Sequence, residues 1–220
     1  LHMSKNNFKT LLVSVALTGT LTGFAQQEKA ELGKFEPTWE SLSQYETPEW
    51  FRNAKFGIWA HWGPQCQPEA GDWYGRLMYE EGNPAYEWHL KHYGHPSEFG
   101  FKDVINEWKA EKWEPGKLVS LFKKTGAQYF FAMGNHHDNM DLWDSKYQSW
   151  NSVNMGPKRD ILAEWEKAAR KTNLPSAVSI HSSHAWTWLE TGQGADKKGP
   201  YADITYEARE VTKVDGQGEW

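Results

Sequence analysis

Apolar positions along this chain follow two rhythms. Three runs are apolar without alternation: "KFGIWAH" at 55–61, "AQYFFAMG" at 127–134 and "AVSIH" at 177–181. Unbroken apolar runs suit parallel strands covered on both faces. Between the last two runs and before the second, apolar residues recur at helical spacing. One stretch, about 115–125, carries Leu118, Leu121 and Phe122 on one face, with Pro115 near its start and Gly126 just past its end. That is the expected asymmetry of helix termini. The other, about 160–171, carries Ile161, Leu162, Trp165, Ala168 and Ala169 along one stripe. The order strand, long insertion, helix, strand, loop, helix, strand predicts an α/β fold with right-handed crossovers. Residues 62–114 are rich in Gly, Pro, Trp and His. They are too long for an ordinary connection and predict functional loops with short helices, one near 103–109.

The first residues read differently. From Met3 the chain has a basic start (Lys5, Lys9), an apolar stretch from Leu11 softened by Thr and Gly, and small residues up to Ala25. This is the pattern of a secretory leader over residues 1–25, too short and too interrupted for a membrane span. No cysteine follows the apolar stretch, so no lipid anchor is expected, and the localisation expected is secreted or periplasmic. Removing the leader takes away two lysines and no acids, moving the formal net charge from −5 to −7. An acidic surface argues against nucleic acid as a partner. Cys66 is the single cysteine, so no intrachain disulfide can form. A packing role is expected for it rather than a nucleophilic one.

Two residue types change the picture. The chain has 14 tryptophans, all after residue 38, and many lie in loop-like contexts such as "AHWGP", "GDWYG" and "SHAWTW". Loop tryptophans on a non-basic exported protein suggest a surface on which sugars stack. Histidines mark the ends of all three strand candidates: His61, then His136 and His137 in "GNHHDNMD", then His181. In a parallel sheet the C-terminal strand ends share one edge, where ligands bind. These imidazoles are therefore expected to converge. Zinc takes three or four ligands in tight geometry, and adjacent residues of an extended segment point to opposite sides unless the chain bends. Neutral imidazoles serve equally as donors and acceptors for hydroxyl groups. Sugar recognition is the reading preferred over metal, and no cofactor is expected. Asp138, Asp141 and Asp144 read best as turn and helix-cap residues.

At these same positions the sequence resembles the α-L-fucosidases of glycoside hydrolase family twenty-nine. The resemblance covers about residues 39–190 and rests on "PEWFRNAKFGIWAHWGP" (48–64), "GDWYGRLMY" (71–79), "NHHDNMDLWDSKYQSWNSVNMGPKRD" (135–160) and "SIHSSHAWTW" (179–188). It implies a (β/α)8 TIM-like barrel, of which residues 26–220 would form the N-terminal part, the first three or so βα units. It implies hydrolysis of terminal α-L-fucose with retention, and a fucosylated glycan as partner.

By the same resemblance His61, His136 and His137 hold fucose hydroxyls, and Asp72 of "DWY" stands where the family usually has glutamate. Trp73 lies close to the sugar, with Trp62 as a second aromatic face. His181 and, more remotely, His184 occupy a region where the family often has tyrosine. Retaining glycosidases need two carboxyl groups ~5–5.5 Å apart, and no convincing pair occurs in residues 26–220. The nucleophile aspartate and the acid/base carboxylate are expected beyond Trp220, and the segment 191–220 is expected to be a polar inserted loop. Residues 26–220 alone are expected to be inactive. Two other readings remain at this point: a non-catalytic sugar-binding protein, and a metal-dependent hydrolase on a barrel.

Overall fold

Three parallel strands in the order β1-β2-β3 form the sheet: β1 Ile58–Ala60, β2 Phe130–Asn135 and β3 Ser176–Ile180. The computed structural model describes residues 33–181 and 188–206, so the leader, His184 and the last stretch of the tail lie outside the described residues. The chain divides between Glu46 and Thr47 into two units. In the first, the single turn α1 (Trp39–Leu42) is capped by Thr38, whose hydroxyl accepts from the Ser41 N–H. Phe35 and Tyr45 meet edge to face there. All further elements belong to the second unit, which begins with α2 (Glu49–Ala54).

Each apolar run predicted as a strand becomes one. The two predicted helices are present as α6 (Pro115–Lys124) and α7 (Ile161–Lys171), and the helix expected near 103–109 is α5 (Phe101–Glu107). Pro115 supplies the first turn of α6, where its missing N–H costs nothing. Asp160 caps α7 by accepting from the Ala163 N–H at 2.8 Å. The stripe Ile161, Trp165, Ala168 and Ala169 is buried. Trp165 packs on Phe130 of β2 at 5.0 Å and on Phe122 of α6 at 6.4 Å, so one indole joins two helices to the sheet. On α6 Val119 is buried and Leu118 and Phe122 pack against the core as expected, while Leu121 stands 53% exposed, which corrects that one position.

β3 also departs from expectation. Val178 and Ile180 are 47% and 58% exposed, so this strand is not covered on both faces. The apolar run is a strand as expected, but α7 leaves its apolar side chains about half exposed.

The insertion 62–114 folds around its own polar pins. It carries α3 (Tyr74–Leu77) and α4 (Pro84–His92) besides α5. Buried His89 bridges them: the Tyr74 hydroxyl lies 2.6 Å from Nδ1, and Nε2 lies 2.7 Å from the Phe99 carbonyl. A carbonyl only accepts, so Nε2 carries the proton and Nδ1 receives the tyrosine's. The segment after residue 188 is held by Asp196. Its carboxylate accepts from the hydroxyls of Tyr86 and Tyr206 and from His95 Nε2. Burial opposes the charge, but these three donors hold the carboxyl below its ordinary range. The predicted polar loop is thus anchored, as far as residue 206, by one buried acid.

One irregularity in the sheet decides where side chains point. Met133 pairs with Ser179, yet Asn135 pairs with Ile180, so Gly134 is an extra residue in β2. Such a bulge inverts the alternation of faces beyond it. Without it, His136 would lie on the far side of the sheet from Trp59, Ser179 and His181. Glycine is required by space: a Cβ at residue 134 would sit 2.8 Å from Val178 Cγ1. Asn135 braces the bulge, accepting from the His181 N–H at 3.1 Å and donating to Asp141 Oδ1 at 3.2 Å.

Gly134→Ala is expected to lower stability by about 1–3 kcal/mol, the usual cost of overpacking. Urea unfolding measures it, and adding Val178→Ala should restore most of the loss because the two side chains share the same space.

Candidate functional site

The bulge brings the predicted histidines together. His61 follows β1, His136 and His137 follow β2, and His181 follows β3. Ring centres lie 4.8 Å apart for His61–His136, 4.9 Å for His61–His181 and 5.1 Å for His136–His181. His137 joins at 5.0 Å from both His136 and His181. Its Nδ1–H donates to the His181 carbonyl at 3.0 Å, which fixes the tautomer and makes Nε2 the ring's acceptor. Adjacent histidines reach one site because the chain turns immediately after β2.

Asp72 approaches this cluster from the loop before α3. Its carboxylate lies 3.2 Å from His61 Nδ1 and 3.6 Å from His136 Nε2. Facing a carboxylate, His61 carries its proton on Nδ1 and keeps a lone pair on Nε2. His61 Nε2, His136 Nε2 and His181 Nδ1 are buried and have no hydrogen-bond partner among the described residues. Buried polar atoms without partners are rare in folded proteins and mark places where a ligand completes the bonding. One nitrogen from each of these rings falls within 4.8 Å of one from each of the others. The set can therefore bind hydroxyl groups or a soft cation.

Aromatic walls flank the imidazoles. Trp73, 52% exposed, meets Trp188 edge to face at 5.2 Å, and Trp188 lies 4.7 Å from His137. Trp188 is held from behind, its carbonyl accepting from Arg76 Nη1 at 2.9 Å. Trp59 packs on His61 at 4.8 Å and His181 at 5.7 Å, with Nε1 donating to Ser179 Oγ. Trp59 was not predicted, and Trp188 was expected only as one of the loop tryptophans of "SHAWTW". Strand alternation could have found Trp59, two residues before His61, whereas only the fold brings Trp188 to the rim. Trp62 is a correction. One residue beyond His61 it faces the other way, packing against Trp108, Trp113 and Trp165 in the core.

The electrostatics favour neutral rings. Burial, with the nearby rings of His61, His137 and His181 adding, pushes the His136 pKa down to about 4 against the pull of Asp72. Burial and His61 push His181 in the same direction. Burial also raises the Cys66 thiol, with Asp72 and Asp138 adding to it, which disfavours the thiolate a nucleophile would need. Asp138 is the unusual acid. Oδ1 accepts from the Met140 N–H at 3.2 Å, as a turn cap should, but Oδ2 is buried without a partner. Burial and the Asp72 charge push its pKa up to about 7. Asp141 is tied to Asn135, so Asp138 and Asp141 hold the turn as expected, whereas Asp144 engages through its backbone N–H, which donates to Asp160.

A parallel α/β sheet with a polar, aromatic-walled rim at its C-terminal strand ends has the form of a ligand-binding α/β protein. Comparison with known proteins narrows this. The family profile described as Alpha-L-fucosidase matches residues 22–215, and the chain belongs to that family. Human plasma α-L-fucosidase is 37% identical over 144 residues, covering 64% of this chain and 31% of the relative. Mouse tissue α-L-fucosidase is 32% identical over 155 residues, covering 70% and 34%. Among solved structures, Thermotoga maritima α-fucosidase with a mechanism-based inhibitor superposes with a TM-score of 0.64 at 36% identity. It covers 70% of this chain and 39% of that one. The same enzyme in complex with fucose gives a TM-score of 0.63 at 37% identity, over 66% and 37%. The chain spans about a third of the length of the relatives it matches. Among the described residues no helix is long and apolar enough to cross a membrane.

The buried titratable groups generate a pH prediction. Asp138, raised from 3.8 to about 7, favours the fold fully below about pH 4 and loses that contribution as pH rises through 7. His136 and His89, lowered from 6.5 to about 4, act oppositely: their contribution is complete above pH 6.5 and lost as pH falls through 4. Asp138→Asn removes only the first effect. Its stability relative to the parent, read from urea midpoints between pH 4.5 and 8, is expected to rise steadily with pH.

Proposed function

We propose that the protein to which this chain belongs is a secreted glycosidase that removes terminal α-L-fucose from glycans or glycoconjugates with retention of configuration. The observation that carries the reading is the convergence of His61, His136 and His181, each with an unpartnered buried nitrogen, at the C-terminal edge of a parallel sheet. Relatives named as α-L-fucosidases and a related structure holding fucose support it.

In this reading His61, His136, His137 and His181 exchange hydrogen bonds with sugar hydroxyls, and neutral rings suit the task because each offers both a donor and an acceptor. Asp72 accepts from a further hydroxyl while orienting His61. Trp73, backed by Trp188, offers a flat apolar face to the sugar's C–H edges. Contacts with hydroxyls remote from the bond being broken accelerate hydrolysis when they tighten as the ring flattens toward an oxocarbenium ion.

The three strands are read as the first of an eight-stranded β/α barrel, with residues 26–220 forming its N-terminal part after a leader over residues 1–25. The strand order, the parallel pairing and the exposure of Val178 and Ile180 support that architecture, since a following βα unit would cover them. The nucleophile and the proton donor then come from later strands.

An aryl α-L-fucoside tests the proposal on the full protein. His136→Ala is expected to lower kcat/KM by about 100-fold or more, roughly 3 kcal/mol of lost transition-state contact. Residues 26–220 alone are expected to show no turnover. A full protein that binds L-fucose but leaves the fucoside intact is a sugar-binding protein instead.

A further inference from the structure

The same imidazoles meet the requirements of a different ligand. We infer that His61, His136 and His181, with Asp72 beside them, form a site for a divalent zinc-like cation that competes with sugar for the pocket. The metal claim stands on the side-chain geometry alone; the competition claim rests on the sugar reading above.

Three features of the cluster suit such a cation. First, the donor set is right: three imidazoles and a carboxylate are ligands that zinc and copper prefer, and that magnesium and calcium do not. Second, the nitrogens are close. Mutual distances of at most 4.8 Å put each within about 2.8 Å of a common centre, against 2.0–2.1 Å for a zinc–imidazole bond. Small side-chain rotations close that gap without moving a strand. Third, His61 Nε2 and His181 Nδ1 are buried with no hydrogen-bond partner among the described residues, and His136 Nε2 faces only the Asp72 carboxylate at 3.6 Å, beyond hydrogen-bond reach, so a cation breaks no existing hydrogen bond there. Asp72 Oδ1, 3.2 Å from His61 Nδ1, supplies what metal-binding histidines usually have, a carboxylate that orients the ring and makes its other nitrogen more basic. Asp72 is also the negative charge nearest the rings.

His181 is decisive for the cation site. His61 and His136 with one carboxylate are a loose pair; the third imidazole, stacked on Trp59 at 5.7 Å, completes a three-nitrogen face. A bound cation takes the lone pairs that would otherwise accept sugar hydroxyl protons. Metal and sugar therefore exclude each other, and zinc acts as an inhibitor rather than as a participant in hydrolysis.

The test titrates the full protein, prepared without a polyhistidine tag, with zinc chloride at pH 7.5 by isothermal calorimetry. One zinc per chain with Kd at or below about 10 μM is expected, and no heat from magnesium chloride. His181→Phe, at a half-buried position, should weaken zinc at least tenfold while far-UV circular dichroism stays unchanged. Asp72→Asn, on an exposed side chain, should also weaken it. Saturating L-fucose should raise the apparent zinc Kd at least tenfold. Absence of zinc uptake, or uptake equal in His181→Phe and Asp72→Asn, overturns the site. Uptake indifferent to L-fucose overturns the competition. L-fucose binding without zinc binding rejects this inference and leaves the fucosidase reading standing. Zinc binding in a protein that never cleaves the fucoside supports the metal site and rejects that reading.

Discussion

The site depends on one extra residue in one strand. Side chains alternate across a sheet, so a strand can present either its odd or its even positions to a ligand, and a shift of one reverses the choice. β2 uses both. Up to Met133 it follows the register set by Phe130 against Ile58 and Ser176, which keeps Phe130 on Trp165 in the core. After Gly134 the phase reverses and His136 emerges beside His61 and His181. Core packing and ligand rim impose conflicting demands on alternation, and the bulge resolves them within a single strand.

That arrangement has electrostatic consequences. Four imidazoles with neighbouring ring centres about 5 Å apart repel if charged, and burial removes the water that would screen them. His136 and His181 therefore resist protonation, which preserves lone pairs needed by hydroxyl groups or a cation. Asp72 is the counterweight, an exposed side chain whose carboxylate lies 3.2 Å from His61 Nδ1. Asp138, enclosed a few residues away, takes the opposite course and holds its proton toward neutral pH.

Much of this was legible in the chain. Strand runs and helix stripes depend on local composition and period, and both survive folding because burial selects for them. Pro115 and Asp160 marked helix starts for reasons local to one turn. The histidines at strand ends were legible as a set, because parallel topology forces C-terminal ends to one edge. Trp62 failed because its loop context suggested a ligand surface, while its place after His61 sends it to the helix side. Leu121 failed because helical phase names a face without saying how wide the neighbouring element is. The exposure of β3 was illegible for a related reason: an apolar run shows that a strand is built to be covered, not what covers it.

By itself, then, the sequence determined the order of elements, the parallel sheet and the residues carrying the chemistry, since each follows from short-range periodicity or from motif. Only the tertiary structure decided which face each histidine takes, that Trp188 and Trp59 join the rim, and that three ring nitrogens stay buried without partners. Those features depend on the bulge at Gly134 and on segments more than a hundred residues apart meeting through contacts such as Arg76 to Trp188. A period read along the chain reports which side of its own strand or helix a residue occupies. It carries no information about what another segment brings to that side, and the site is made of such meetings.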